Sequence, residues 1–159
     1  MPQLHLTAVP VMRTGMLIRK PAAEVFEAFA DPAITTQFWF TDSTGRLEAG
    51  KTVRWDWKMY DVFADVVVKA AEPHTRILIA WGGPGETPTD VEWTFKSRKE
   101  GTFVEVVNSG FQGNGDNVVS QALDSMGGFS LVLAGAKALL EHNVRLNLVP
   151  DRFPAGLDR

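Results

Sequence analysis

The stretch ALDSMGGFSLVLAGAKALLEH, residues 122–142, decides the fold of this chain. Its apolar residues recur at intervals of four and three, the spacing that forms one side of an α-helix. Gly127 and Gly128 interrupt the pattern, and because a glycine in a helix interior costs roughly 1 kcal/mol, we expect a bend or a break there. The sequence predicts a long amphipathic C-terminal helix whose apolar stripe comprises Ala122, Met126, Phe129, Val132, Leu133, Ala136, Leu139 and Leu140.

The chain before that helix predicts two short helices and a run of antiparallel strands. Residues 12–20 are expected to form the first strand, and residues 21–30 a helix with Pro21 at its first position, where the missing N–H is harmless. Asp31 is expected to end that helix and to cap a second one that runs through Thr35 to Phe40. Alternating apolar side chains then predict strands joined by short turns at residues 44–48, 53–59, 61–71, 75–81, 90–98 and 102–110. This order of elements suggests a curved sheet around the last helix, with a cavity between them.

Length and composition limit the class of protein. The 159 residues suit one domain, with a core at about 12–142 and an apolar tail at 143–159 that is expected to dock on it. The net charge of −3 argues against nucleic-acid binding. No cysteine is present, so disulfides and thiolate metal sites are excluded. We found neither a signal peptide nor an apolar run near the ~20 residues that span a bilayer, so we expect a cytoplasmic protein without membrane insertion.

Aromatic side chains supply the candidate ligand-binding site. An indole N–H can orient a ligand while the ring buries it, so a cavity with aromatic walls would bind an apolar molecule. Plain packing of a hydrophobic core is the competing interpretation of the same residues. The candidate cavity-lining residues are Trp39, Trp55, Trp57, Phe63, Trp81, Trp93, Phe95, Met126, Phe129 and Leu133.

Catalytic and metal sites receive little support from the sequence. An inward-facing carboxylate on a strand could act as a general base, and Asp65, Glu92 and Glu105 are the candidates. Solvated charges on the sheet surface are the favoured interpretation of all three. No two of the three histidines stand at metal-ligand spacing. We therefore predict no catalytic residue, no metal and no cofactor, and we lean against an enzyme.

Three segments resemble a known family. They are IRKPAAEVFEAFADPAITTQFWF at 18–40, GRLEAGKTVRWDW at 45–57 and ALDSMGGFSLVLAGAKALLEHNVRLNLVPDRFP at 122–154. These segments are similar to SRPBCC domains, also called START-like or helix-grip domains. Within them, the chain is most similar to bacterial members of the branch named after the activator of heat-shock protein 90 ATPase.

The resemblance implies an α+β helix-grip fold, in which a seven-stranded antiparallel sheet grips a long C-terminal helix and two short helices follow the first strand. Family members bind lipids, polyketides, sterols or other apolar molecules, and some catalyse cyclisation. We therefore predict binding of a small hydrophobic ligand, a lipid, polyketide or aromatic molecule, between the sheet and the C-terminal helix.

Two alternatives remain at this point. One is a cyclase- or hydrolase-like enzyme that acts on an aromatic or polyketide substrate. The other is a chaperone-regulating or stress-response interaction protein. The eukaryotic co-chaperone carries an extra N-terminal domain for which this chain has no room, and this argues against a co-chaperone role. An exposed face built from the apolar tail would favour a protein partner or a homodimer.

Overall fold

Seven strands form one antiparallel sheet in the computed structural model, which describes residues 3–155. The strand order is β1-β7-β6-β5-β4-β3-β2, so each strand lies beside its neighbour in sequence except β1, which pairs with β7. The strands are β1 (Met12–Ile18), β2 (Asp42–Ser43), β3 (Thr52–Trp57), β4 (Val62–Glu72), β5 (Arg76–Gly82), β6 (Thr89–Arg98) and β7 (Gly101–Ser109).

Four α-helices lie within the described residues. Two short helices, α1 (Ala22–Ala30) and α2 (Pro32–Thr35), follow β1. The long helix α3 (Gly115–His142) follows β7, and a short helix α4 (Leu148–Arg152) lies in the tail. The predicted α+β helix-grip fold, with its seven-stranded sheet and long C-terminal helix, is confirmed.

The period of two along each strand separates a buried face from an exposed face. In β6, Val91, Trp93 and Phe95 are all at most 4% exposed, because successive side chains of a strand point to opposite faces. The same alternation in β3 buries Val53, Trp55 and Trp57. The inner face of the sheet therefore carries the large aromatic side chains, and it is this face that α3 and α1 cover.

Helix α3 is continuous from Gly115 to His142, so the predicted break at Gly127 and Gly128 is wrong. A Cβ atom added at either glycine would meet no heavy atom within 4 Å, so neither position serves a close helix contact. The next turns anchor the helix, because their apolar side chains are buried against the sheet and offset the poor helix propensity of glycine. The buried side chains just after the two glycines are Phe129, Val132, Leu133 and Ala136.

By length and composition alone, α3 could cross a membrane. The sequence has no uninterrupted apolar run of this length, because polar residues such as Ser125 and Lys137 are spaced along the helix. The apolar character of α3 as a whole was therefore not recognised from the sequence. The core helix of a water-soluble domain meets the same two criteria. In this structure one face of α3 packs against the sheet.

The predicted strand at residues 44–48 is wrong. Strand β2 contains only Asp42 and Ser43, which pair with the end of β3. The next residues pack against α1 instead, where Leu47 is 4% exposed and donates its backbone N–H to the carbonyl of Ala30 at 3.1 Å. An ion pair between Arg46 and Glu27 fixes the same segment on α1. Packing of one apolar side chain against a helix has therefore replaced strand pairing.

The first two helices differ from the prediction only at their ends. Pro21 is the N-cap of α1, one position before its predicted place, and its carbonyl accepts the N–H groups of Glu24 and Val25. Asp31 caps α2 as predicted, because its carboxylate accepts the N–H of Ala33 at 3.0 Å. Helix α2 ends at Thr35 and does not extend to residue 40.

The last turn of α3 is fastened to the end of β1. Lys137 Nζ donates to the carbonyl of Leu17 at 2.7 Å and to the carboxylate of Glu141 at 2.6 Å. That carboxylate also accepts the backbone N–H of Arg19 at 2.8 Å. Burial alone would raise the pKa of Glu141, but the bonds from Lys137 and Arg19 outweigh it, so the pKa lies below its usual value.

We expect Glu141→Gln to lower the free energy of unfolding at pH 7 by about 1.5 kcal/mol, because it weakens hydrogen bonds to a charged group. The lowered pKa means that this stabilisation is present above the unfolded value of about 4.3 and is lost as the pH falls through the folded value. Urea titrations across this pH range should show the gap between wild type and variant closing in acid. Glu100→Gln, at an exposed turn, is the control. A gap that stays constant at low pH would contradict this account.

Candidate functional site

A cavity of about 780 Å³ opens between the inner face of the sheet, the first half of α3 and the tail. The ends of β4 and β5 form one wall, and Gly128 and Val132 of α3 face them. Because residue 128 has no side chain and a Cβ there would meet nothing within 4 Å, this part of α3 leaves the space open. The aromatic residues of the wall are Trp39, Trp57, Tyr60, Phe63, Trp81, Phe111, Phe129 and Phe153.

Trp39 is the centre of an aromatic cluster beneath the cavity. It follows α2, on the loop that leads to β2, and only 7% of it is exposed. Its ring centroid lies 4.9 Å from that of Trp55, 5.6 Å from that of Phe129 and 5.8 Å from that of Trp81, all at tilted or edge-on angles. Such angles are favourable for aromatic pairs, so the rings support one another as a rigid floor.

Five of the ten predicted lining residues border the cavity, and five do not. Those that border it are Trp39, Trp57, Phe63, Trp81 and Phe129.

Four of the other five lie in the closed core. Trp39 lies over Trp55 and over Trp93, whose ring centroid is 6.0 Å from its own, and each of the two is only 1% exposed. Phe26 and Phe29 of α1 cover Phe95. The fourth residue, Leu133 on α3, is fully buried.

Met126 does not border the cavity, whereas Phe63 borders it from the outer face of the sheet. Met126 is 40% exposed and is not among the residues that line the cavity. Phe63 borders the cavity, but its ring lies under the Arg54 guanidinium, 3.7 Å from the ring centroid. Alternation along β4 places that ring on the outer face of the sheet with Asp65.

The tail closes one side of the cavity. Tyr60, in a short 3₁₀ turn after β3, donates its hydroxyl to the carbonyl of Val149 and accepts the N–H of Phe153 at 3.3 Å. The rings of Tyr60 and Phe153 meet edge to face at 6.1 Å. Helix α4 is therefore held against the sheet, while residues 156–159 of the predicted docked tail lie outside the described residues.

Charged groups stand at the mouth of the cavity. Glu86 accepts the backbone N–H of Gly83 at 2.8 Å within the β5–β6 loop, and both residues border the cavity. Asp124 of α3 and Arg152 of α4 also border the opening. The Arg152 guanidinium lies over the ring of Phe153, at 4.3 Å from its centroid. The mouth thus carries two carboxylates and one guanidinium, whereas the deeper walls are aromatic.

The sequence analysis missed a buried polar group that borders the cavity. Asn108 is 3% exposed and lies on the inner face of β7, in line with Val104 and Val106. Its amide nitrogen donates to the hydroxyl of Thr89 at 3.0 Å, and its amide oxygen accepts the hydroxyl of Ser125 at 2.8 Å. The period of two along β7 places residue 108 on the same face as Val104 and Val106. This alternation is the sequence signal that indicates an inward-facing amide.

The three strand carboxylates point away from the cavity. Glu105 pairs with Arg13 at 2.9 Å and Glu92 pairs with Arg76 at 2.7 Å, both on the outer face, and Asp65 is exposed. Among residues 3–155, no group of three or more His, Asp or Glu residues is placed to hold a metal ion. The polar side chains that border the cavity are therefore hydroxyls, the amides of Asn108, Gln112 and Gln121, and the charges at the mouth.

We expect Trp55→Ala to lower the free energy of unfolding by about 3–5 kcal/mol, the usual range for loss of a buried aromatic side chain. Trp81→Ala should cost clearly less, about 1–2 kcal/mol, because Trp81 already borders open space and its loss creates less new cavity. Urea denaturation of both variants measures the difference. Equal losses would mean that the space beside Trp81 is filled in solution.

Tyr60→Phe should loosen the tail without disturbing α3. The variant loses the hydroxyl that joins Val149 and Phe153, and each hydrogen bond contributes about 1 kcal/mol. Because two bonds are lost, hydrogen exchange should accelerate roughly thirtyfold at residues 149 and 151–153, while the amides of α3 near Leu133 keep their protection. Unchanged exchange in the tail would show that other contacts hold it.

The fold has clear relatives among solved structures. Protein SSP2350 from Staphylococcus saprophyticus is 29% identical, with a TM-score of 0.74, and the match covers 86% of this chain and 96% of that one. The Aha1 dimer from Colwellia psychrerythraea is 17% identical, with a TM-score of 0.70 and coverage of 84% and 97%. DynU16, from the dynemicin biosynthetic locus, is 24% identical, with a TM-score of 0.72; the match covers 85% of this chain but 48% of DynU16.

The last two likenesses show the fold alone, because their identities are low. Comparison with curated proteins found no match. The family comparison is more specific, and it agrees with the resemblance carried by residues 18–40 and 45–57. Residues 19–141 match the family described as Activator of Hsp90 ATPase homolog 1-like protein, and the chain belongs to that family.

Proposed function

We propose that this protein binds a small apolar molecule, a lipid, polyketide or aromatic compound, in the cavity between the sheet and α3. The observation that carries the proposal is the open space of about 780 Å³ with tryptophan and phenylalanine walls. Ligand sites in proteins are typically concave, mostly apolar and about 300–1,000 Å³ in volume. A void of this size would otherwise leave its aromatic walls without packing partners.

Burial of the ligand would supply the binding energy. Each 100 Å² of apolar surface removed from water contributes about 2.5 kcal/mol, before the entropy lost on association is subtracted. Trp39, Trp57 and Trp81 border the space and are set at tilted or edge-on angles to one another, so a flat or ring-bearing molecule would find aromatic partners in more than one orientation.

A cyclase- or hydrolase-like enzyme is the weaker candidate. Such chemistry would need a general acid or base that faces the reacting atoms inside the site. The three strand carboxylates lie on the outer face, and Glu86 and Asp124 stand at the mouth. Binding without turnover is therefore the function that the geometry supports best.

Further expectations from the sequence stay predictions. They are a single domain over residues 1–159, a cytoplasmic location, and a chaperone-regulating or stress-response role. A homodimer is also proposed, since the relative from Colwellia psychrerythraea is described as a dimer in solution. An exposed apolar set near the N-terminus offers a surface for a second copy, and it comprises Leu4, Leu6, Val9 and Val11.

Two neighbouring glycines offer a test with a matched control. Gly128 borders the cavity and Gly127 does not, yet a Cβ at either position meets no heavy atom within 4 Å. Gly128→Leu should fill part of the cavity, whereas Gly127→Leu should not. Both variants should remain folded, because leucine is a better helix former than glycine by about 0.8 kcal/mol.

The binding experiment starts from the native ligand. Protein purified from its own host is analysed by native mass spectrometry, and any bound molecule is extracted and identified. We expect one apolar molecule per chain in the wild type and in Gly127→Leu, and at least a tenfold lower occupancy in Gly128→Leu. An empty wild type that also fails to bind a panel of lipids and aromatic compounds would refute the proposal.

A further inference from the structure

The hydrogen-bond network around Asn108 has a fixed direction. A carbonyl oxygen can only accept, so the bond of 2.7 Å to the carbonyl of Asp90 identifies the amide nitrogen of Asn108. The same nitrogen donates to the Thr89 hydroxyl, and the amide oxygen on the other side must accept the proton of Ser125. The direction of all three hydrogen bonds of the Asn108 amide is therefore determined by one backbone carbonyl.

With this direction, the Thr89 hydroxyl can still donate a hydrogen bond and the Ser125 hydroxyl can still accept one. Thr89 already accepts from Asn108, so its own O–H remains to donate, and it has no acceptor among residues 3–155. Ser125 has used its proton on Asn108, so its oxygen can still accept. Because both residues border the cavity, the wall presents one donor and one acceptor on either side of a single amide.

The charges at the mouth disfavour an anionic ligand. Glu86 and Asp124 face the opening together with one cation, Arg152. A carboxylate entering the cavity would meet two like charges for one opposite charge, and it would lose its hydration against aromatic walls. A neutral group that both accepts and donates is the better match to Thr89 and Ser125.

We infer that Thr89, Asn108 and Ser125 form a polar subsite that selects an apolar ligand with a neutral hydroxyl group, an alcohol or a phenol. The ligand oxygen accepts from Thr89 and its hydroxyl proton goes to Ser125, while the apolar body packs on the tryptophans. Asn108 is a positioning residue, because it orients both hydroxyls. This inference rests on the proposed function, since it assumes that the cavity holds a ligand.

Three probes of similar shape test the Thr89 donor and the Ser125 acceptor separately. Naphthalene has no oxygen, 2-methoxynaphthalene can only accept, and 2-naphthol can both accept and donate. Calorimetric titration should rank them in that order of increasing affinity, with about fivefold for each hydrogen bond. Thr89→Val should weaken the methyl ether and the naphthol about fivefold and leave naphthalene unchanged, whereas Ser125→Ala should weaken 2-naphthol alone.

The control is Thr94→Val in the same strand. Thr94 lies five residues after Thr89 and hence on the outer face of β6, and its hydroxyl has no partner among the described residues. It should alter the affinity of none of the three probes.

Three results would overturn the inference, and they separate failure of the polar subsite from failure of the proposed function. If Gly128→Leu blocks all three probes but the wild type binds them equally, the cavity binds ligands and the polar subsite is refuted. Equal effects of Thr89→Val and Thr94→Val would refute it in the same way. If no probe binds, or binding is insensitive to Gly128→Leu, the proposed function fails as well.

Discussion

One helix has to cover the inner face of a seven-stranded sheet, and the rest of the structure follows from that mismatch. Seven strands at their usual spacing are roughly 29 Å wide, whereas a helix with its side chains is only about 10–12 Å across. Helix α3 packs mainly along β1, at one edge of the sheet. The rest of the inner face must be covered by other parts of the chain or stay open. In this structure one part of it is covered and another part is open.

The partners are α1, Trp39 and the tail. Helix α1 covers Phe95 with Phe26 and Phe29, at the end of β6 farthest from the cavity. Trp39 covers the middle of the sheet, where it lies over Trp55 and Trp93. Between Trp39, the first half of α3 and the docked helix α4, the inner face is not filled, and that gap is the cavity.

Hydrophobic spacing predicted the fold because it reports which face of each element is buried. The period of two in β3 and β6 and the four-three spacing in α3 were sufficient for element type and order. Spacing does not report what covers an inward side chain, so Trp55 and Trp57, which have the same facing, could not be separated into core and cavity wall. The prediction of a strand at residues 44–48 was wrong for a related reason. Leu47 would be apolar whether it were buried against a helix or within a strand, so the sequence does not distinguish the two. Asn108 was missed because inward positions were identified by their apolar side chains, and an amide at such a position does not fit that pattern.

The aromatic cluster also has an optical consequence. Trp39 has Trp55, Trp57, Trp81 and Trp93 within 6.2 Å, centroid to centroid. At such separations excitation passes between indoles much faster than it is emitted, so the five tryptophans act as one chromophore. Trp55 and Trp93 are shielded from water, while Trp57 and Trp81 border the cavity. Light absorbed anywhere in the cluster can therefore be emitted or quenched at the cavity wall, so the protein's intrinsic fluorescence monitors the contents of that space.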